Sequence, residues 1–251
     1  MANADPTPTA SSPAPLVAEW SYDEPVAVIG DIHGQAEMLG RLLRRLPASM
    51  PVLLTGDLGD RGPDTRGVLD QLVARDARGV CGNHDIWLRD WANGRGFKPA
   101  VLHPVMGGRA TLRSYGAKGP TLEQVIAQGA LVPRTHAALL DAMPVAAGLT
   151  VLGTEYWMAH AGVPEFADLP GVADEDIVPY LAQHMPSSLQ WARNYPRAVP
   201  PLGRTLVMGH TPQVTPLDTG TVLAIDTGAG APFGGALTAV ILPERRFITV
   251  R

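Results

Sequence analysis

Three short apolar runs in this chain end in the same way. "PVAVIG" (residues 25–30), "PVLLTG" (51–56) and "RGVCG" (78–82) each close on a glycine, and Asp31, Asp57 or Asn83 follows at once. Runs this short, apolar and bounded by Gly or Pro suit buried strands. Between them, residues 35–46 place Leu39, Leu42, Leu43 and Leu46 at helical spacing. Residues 64–74 do the same with Val68, Leu69, Leu72 and Val73, and a third helix is expected from Asp85. Strand, helix, strand in repetition gives parallel strands, because a parallel pair needs a long crossover. In open α/β sheets ligands bind beyond the carboxyl ends of the strands. Three polar clusters should therefore converge on one sheet edge.

The rest of the chain is less regular. Residues 94–133 read as a partly helical insertion able to cover that edge. A helix is expected over 135–143, then two strands, "AAGLTVLG" and "YWMAHAG", around a turn at Gly153 and Thr154. A Pro-rich irregular stretch covers 163–201. The tail holds four strand-like segments, "TLVMGH", "TVLAIDTG", "LTAVIL" and "RFITV", expected as a second sheet packed on the first. The expected fold class is α/β, two mixed sheets packed as a sandwich and flanked by helices, in one domain over 25–251. Residues 1–24 are expected as a disordered lead-in, since residues 1–15 are rich in Ala, Pro, Ser and Thr. They lack the basic and apolar regions of a signal peptide.

Composition narrows the function classes. The chain has 251 residues, enough for a sizeable core, and a net charge of -4. No basic stripe of the kind nucleic-acid binders carry is visible, and no apolar run is long enough to span a bilayer. One cysteine, Cys81, rules out an intrachain disulfide and fits a cytoplasmic protein.

Five clusters carry the chemistry: "GDIHG" (30–34), "GDLGDRG" (56–62), "GNHD" (82–85), "HAG" (160–162) and "GHT" (209–211). Carboxylate, imidazole and amide oxygen suit a pair of divalent first-row metals. The missing thiolates argue against structural zinc or an iron–sulfur cluster. Each cluster alone has a bland reading, for an Asp after a buried strand is often a helix cap. Five of them in this order, each at a strand end, are a different matter.

Together, GDxHG, GDxxDRG, GNH[DE], HAG and GHT resemble the motifs of the calcineurin-like metallophosphoesterases, and within them the phosphoprotein phosphatase branch, over residues 26–242. The resemblance implies that Asp31 and His33 hold a first metal, Asp57 bridges two, and Asn83, His160 and His210 hold the second. It implies His84 as general acid oriented by Asp60, and Arg61 as a phosphate ligand. "LQWAR" resembles the family's Trp-x-Arg segment and suggests Arg193 as a second phosphate clamp. The implied cofactors are two divalent ions, Mn first, with Fe, Zn or Co also suited.

The chemistry is coherent on physical grounds. A bridging carboxylate holds two cations about 3.5–4 Å apart, and water between them loses a proton near neutral pH. In-line attack then expels an alkoxide, a poor leaving group unless a positioned His protonates it. An Asp partner fixes the tautomer of that His, and a planar guanidinium suits bidentate phosphate contact.

Two substrates compete. Asp60, the "SYG" that follows Gly107 and Gly108, "WAR" and "GHTP" resemble bacterial serine/threonine protein phosphatases, and this is the preferred expectation. Asp85 at the end of "GNHD" and the segment "DTGAGAPFGGALTA" resemble symmetrical diadenosine tetraphosphate hydrolases instead. A non-catalytic scaffold of the same fold is the alternative from another class; the complete motif set argues against it. The expected partner is a phosphoprotein or a phosphorylated small molecule. Outside the motifs, Cys81 reads as a core residue and His103, His136 and His184 as surface or loop histidines. Asp226 reads as a turn or cap, and Trp157 and Met158 as packing in the second sheet.

Overall fold

The computed structural model describes residues 15–164, 169, 171–193, 201–231 and 234–251. The first fourteen residues of the expected lead-in, parts of the 163–201 stretch, and residues 232 and 233 of the "DTGAGAPFGG" segment lie outside them.

Strands β2 (Val26–Ile29), β3 (Val52–Leu54) and β4 (Arg78–Gly79) are parallel neighbours. Helices α1 (Ala36–Leu43) and α2 (Thr65–Ala74) form the crossovers, and α3 (Asn83–Ala92) follows β4. Asp64 caps α2 by accepting the Gly67 N–H at 2.8 Å. The third helix starts two residues before the expected Asp85, at Asn83.

The second sheet has the order β1-β5-β6-β7-β9-β8. It is built from β1 (Val17–Tyr22), β5 (Ala146–Val151), β6 (Thr154–Ala159), β7 (Thr205–Met208), β8 (Leu217–Asp218) and β9 (Val222–Ala224). Two expectations need correction. Residues 17–22, placed in the lead-in, form β1 and pair in parallel with β5; the alternation in "VAEWSY" lets one face pack and the other meet solvent. The tail also divides: β10 (Leu237–Leu242) and β11 (Arg246–Val250) return to the first sheet, with β10 antiparallel to β2.

Side-chain alternation along the strands builds the layers. Val26, Val28 and Leu53 meet Ala147, Leu149, Met158 and Val207 between the two sheets. Ala27, Ile29, Val52 and Leu54 face the other way, onto Leu39, Leu42, Leu69 and Leu72 of α1 and α2. On the far side of the second sheet, Trp157, Ala159, Leu206 and Met208 pack on α7 (Ile177–His184) and α8 (Ser188–Trp191). The result is a helix–sheet–sheet–helix sandwich. Each fully buried Leu, Ile or Val contributes about 1.5–3 kcal/mol. No helix among the described residues is long and apolar enough to cross a membrane.

The insertion at 94–133 contains α4 (Gly108–Ser114) and α5 (Leu122–Ile126). The later helix α6 runs Arg134–Asp141. His136, expected at the surface or in a loop, is a buried residue of α6. Its Nδ1 lies 3.0 Å from the Tyr115 hydroxyl and its Nε2 2.9 Å from Asp70. A histidine with a partner at each ring nitrogen can be buried without orphaning either. His103 and His184 are exposed, and Cys81, Trp157 and Met158 are buried.

Candidate metal centre

Strands β2, β3 and β4 point their carboxyl ends to one edge of the first sheet, and β6 and β7 do so in the second. Asp31 and His33 follow β2, Asp57 follows β3, Asn83 and His84 open α3, His160 follows β6 and His210 follows β7. All of them are buried.

The loops are bound into one unit. The Asp57 carbonyl accepts the N–H groups of Ile32 and His33, and the His33 carbonyl accepts the Gly62 N–H. His33, Asp57, Asp60, Arg61 and His210 have φ of 47°, 55°, 70°, 63° and 65°. Left-handed backbone at non-glycine residues costs about 1 kcal/mol or more each and persists only where its surroundings enforce it. The glycines make the enforcement possible: a Cβ on Gly209 would enter the Asp31 carboxylate, and one on Gly62 the His33 carbonyl.

Two groups of ligand-capable atoms share Asp57. His33, Asp57 and His84 form one, and Asp57, His160 and His210 the other, with the atoms of each within 4.8 Å of one another. His160 Nε2 is 3.3 Å from Asp57 Oδ2 and 3.1 Å from Asn83 Oδ1 and from His210 Nδ1. His33 Nε2 is 3.6 Å from Asp57 Oδ2. The other ring nitrogens are committed: His33 Nδ1–H donates to Gly59 O at 2.9 Å, and His160 Nδ1–H to Thr55 O at 2.8 Å. Such bonds fix the tautomer and leave Nε2 as the ligand atom. Asp31 stands outside both groups. Its carboxylate accepts the His210 N–H at 3.0 and 3.2 Å.

The electrostatics call for a cation. Burial, then the charge of Asp226, raises the Asp31 carboxyl well above its ordinary range. Burial followed by Asp57 lifts Asp85 to about 6. Burial would lower His160, but Asp57 and Asp31 outweigh it and carry the imidazole up to about 10. These shifts favour a positive charge where the carboxylates and imidazoles converge. Burial, with His160 beside it, lowers His210 to about 3. Burial, against the pull of Asp57, lowers His33 to about 3, and the charges of His84 and Arg61 add to that lowering. Neutral imidazoles are the form that binds metal. Arg61 Nη1 approaches the His33 Nε2 lone pair at 2.8 Å, a positive group meeting the donor a metal would use. Oxygen and nitrogen donors with neutral, oriented imidazoles fit divalent ions, which His33, Asp57, His160 and His210 could hold, with Asn83 Oδ1 3.1 Å from His160.

His84 belongs to one of the two groups, yet both of its ring nitrogens have partners outside it. Its Nδ1 is 2.6 Å from Asp60 Oδ2, and its Nε2 is 3.2 Å from Arg61 Nη2. Burial opposes its charged form, yet Asp57 and Asp60 raise its pKa above the ordinary value. Asp60 is itself held, by Trp87 Nε1–H at 2.9 Å and Thr111 Oγ1–H at 2.8 Å. Sequence reasoning does not find Trp87, Thr111 or the part played by Asp85, whose carboxylate accepts the N–H groups of Asp57, Leu58 and Gly82. Asp226 makes a turn, accepting the Gly228 N–H at 2.8 Å. Arg61 and Arg193 line one cavity of about 890 Å³, whose wall also includes Arg109 and Arg113.

Comparison with known proteins gives consistent matches. A family model described as calcineurin-like phosphoesterase matches residues 24–249. A bis(5'-nucleosyl)-tetraphosphatase PrpE, termed asymmetrical, of Geobacillus thermodenitrificans is 28% identical over 90% of this chain and 93% of its own. A symmetrical bis(5'-nucleosyl)-tetraphosphatase of Ralstonia nicotianae is 44% identical, but over only 26% of this chain and 24% of its own. Among solved structures, a candidate diadenosine tetraphosphatase superposes with a TM-score of 0.61 at 18% identity, covering 93% of this chain and 97% of that one. A protein serine/threonine phosphatase from Saccharomyces cerevisiae superposes at 0.50 and 16%, covering 94% and 83%. At these identities the structural matches establish the fold.

Proposed function

The chain belongs to the calcineurin-like phosphoesterase family, and from that premise we propose that it is a metal-dependent hydrolase of dinucleoside polyphosphates. The observation that carries this reading is the cleft. Arg61, Arg109, Arg113 and Arg193 line one cavity, and among the described residues none of them is ion-paired to a carboxylate. Guanidinium groups gathered at one cavity without a paired carboxylate favour a strongly anionic ligand. A polyphosphate chain carries that much charge; one phosphoserine carries about two negative charges. The relatives named as tetraphosphatases, matched over nine-tenths of this chain, support the same choice.

Each residue then has a task. Asp31, His33, Asp57, Asn83, His160 and His210 would hold two divalent ions, Mn first among the candidates. When bound, such ions neutralise phosphoryl oxygens and activate water for in-line attack. Arg61 and Arg193 orient the reacting phosphoryl group. His84 donates a proton from Nε2 to the departing oxygen, while Asp60 holds Nδ1 and stabilises the imidazolium.

A protein serine/threonine phosphatase is the second reading, and the His84–Asp60 pair favours it. An alkoxide needs a proton on departure far more than a nucleotide phosphate does.

The test compares diadenosine tetraphosphate with a phosphothreonine peptide, using Mn²⁺-loaded protein. The expected result is a higher kcat/KM for the dinucleotide; ATP plus AMP as products would mark asymmetrical cleavage and two ADP symmetrical. A clear preference for the peptide would overturn the first reading in favour of the second.

A further inference from the structure

We propose that Arg109 and Arg113 form a distal phosphate subsite, and that a second cavity behind them receives the nucleoside attached there; the inference rests on the dinucleoside polyphosphate reading. The two arginines stand four residues apart on α4, so they lie on one face about 5–6 Å apart between Cβ atoms. Both are exposed. Both belong to the wall of the cavity that holds Arg61 and Arg193, and both also line a separate cavity of about 380 Å³. That cavity has apolar walls in Leu102, Leu122 and Val125. A flat, largely apolar base suits such a recess, and a guanidinium plane can stack on its face.

The position of α4 is set by the reaction centre itself. Arg61 N–H donates to Gly107 O at 3.2 Å, and Gly107 takes a φ of 79°, where a Cβ would strike the Arg61 main chain. One turn later Thr111 bonds Asp60 through its hydroxyl. Arg109 and Arg113 flank Thr111 in sequence. They are therefore carried at a fixed reach from Arg61 and the His84–Asp60 pair, as recognition of a chain of phosphates requires. Arg61 and Arg193 serve the reacting phosphoryl group, and Arg109 and Arg113 the phosphates that precede the nucleoside.

Direct binding separates these roles. Calorimetric titrations of the purified protein use orthophosphate, tripolyphosphate and ATP as probes. In Arg109→Ala/Arg113→Ala the affinity for tripolyphosphate should fall by about tenfold or more, as expected for losing charge-assisted hydrogen bonds, and its advantage over orthophosphate should shrink by the same factor. In Val125→Trp, which fills the apolar recess, the advantage of ATP over tripolyphosphate should disappear. Unchanged ratios in the two variants would overturn the phosphate subsite and the nucleoside recess respectively. The substrate reading fails separately: wild-type protein that binds tripolyphosphate in this pattern yet does not cleave diadenosine tetraphosphate would refute that reading and leave the subsite standing.

Discussion

His84 Nδ1 lies 2.6 Å from Asp60 Oδ2, and both side chains are buried. Asp60 is held in turn by Trp87 and Thr111, so the imidazole has one orientation, with Nε2 toward Arg61 and the cleft. This arrangement suits a proton donor whose direction is decided before substrate arrives.

Replacing His84 by Asn should therefore penalise substrates according to their leaving group. Turnover of an alkyl phosphoester should fall by about 10²–10⁴, and that of p-nitrophenyl phosphate much less. Steady-state kinetics on both substrates checks this; equal losses would count against proton donation.

Asp57 belongs to both ligand groups and also accepts the His84 N–H at 2.9 Å. Its pKa lies well below the ordinary carboxylate range: burial opposes this, but His160 and His84 outweigh it. Asp57→Asn should bind fewer metal ions per chain and lose activity with them. Metal analysis after gel filtration would show it, and full occupancy with a normal rate would remove the bridging role.

Asp85 is buried, and it accepts the N–H groups of Asp57, Leu58 and Gly82 at 2.8–2.9 Å. An Asn there turns an amide N–H₂ toward one of those donors. Asp85→Asn should weaken metal affinity by about 10–100-fold, the usual scale for groups that orient ligands. Titration with Mn²⁺ measures this, with circular dichroism as the check that the fold persists.

His136 supplies a pH dependence away from the metal centre. Burial lowers its pKa below the ordinary 6.5, against the opposing bond to Asp70. A lowered pKa means the folded protein prefers the neutral ring. That stabilisation is complete above about pH 6.5 and is lost as pH falls through the folded value. Thermal unfolding should show Tm falling between about pH 7 and 5, and falling less steeply in His136→Gln. Parallel slopes would exclude His136 as the source.

Much of this molecule is legible in its sequence. Short apolar runs closing on glycine mark β2 and β3, because a buried strand needs no polar face and the sharp turn after it needs freedom near an ion. The carboxylates and imidazoles follow those turns directly, so five short motifs mark Asp31, His33, Asp57, Asn83, His160 and His210 as candidate donors, and the family resemblance implies their roles. Folding brings them to one edge.

Other features are not local, and only the tertiary structure decides them. Periodicity says which face of a strand is buried but not which sheet it joins, and so it places β10 and β11 in the wrong one. Thr111 reaches Asp60 across 51 positions, and His136 meets Asp70 across 66; no pattern within one element encodes either pair. The same holds for the cleft. Arg61, Arg109, Arg113 and Arg193 are scattered along the chain, and their combined field exists only where folding places them around one cavity. Short local motifs mark the candidate donors of the metal centre, whereas the grouping of those donors and of the cleft arginines comes from long-range packing.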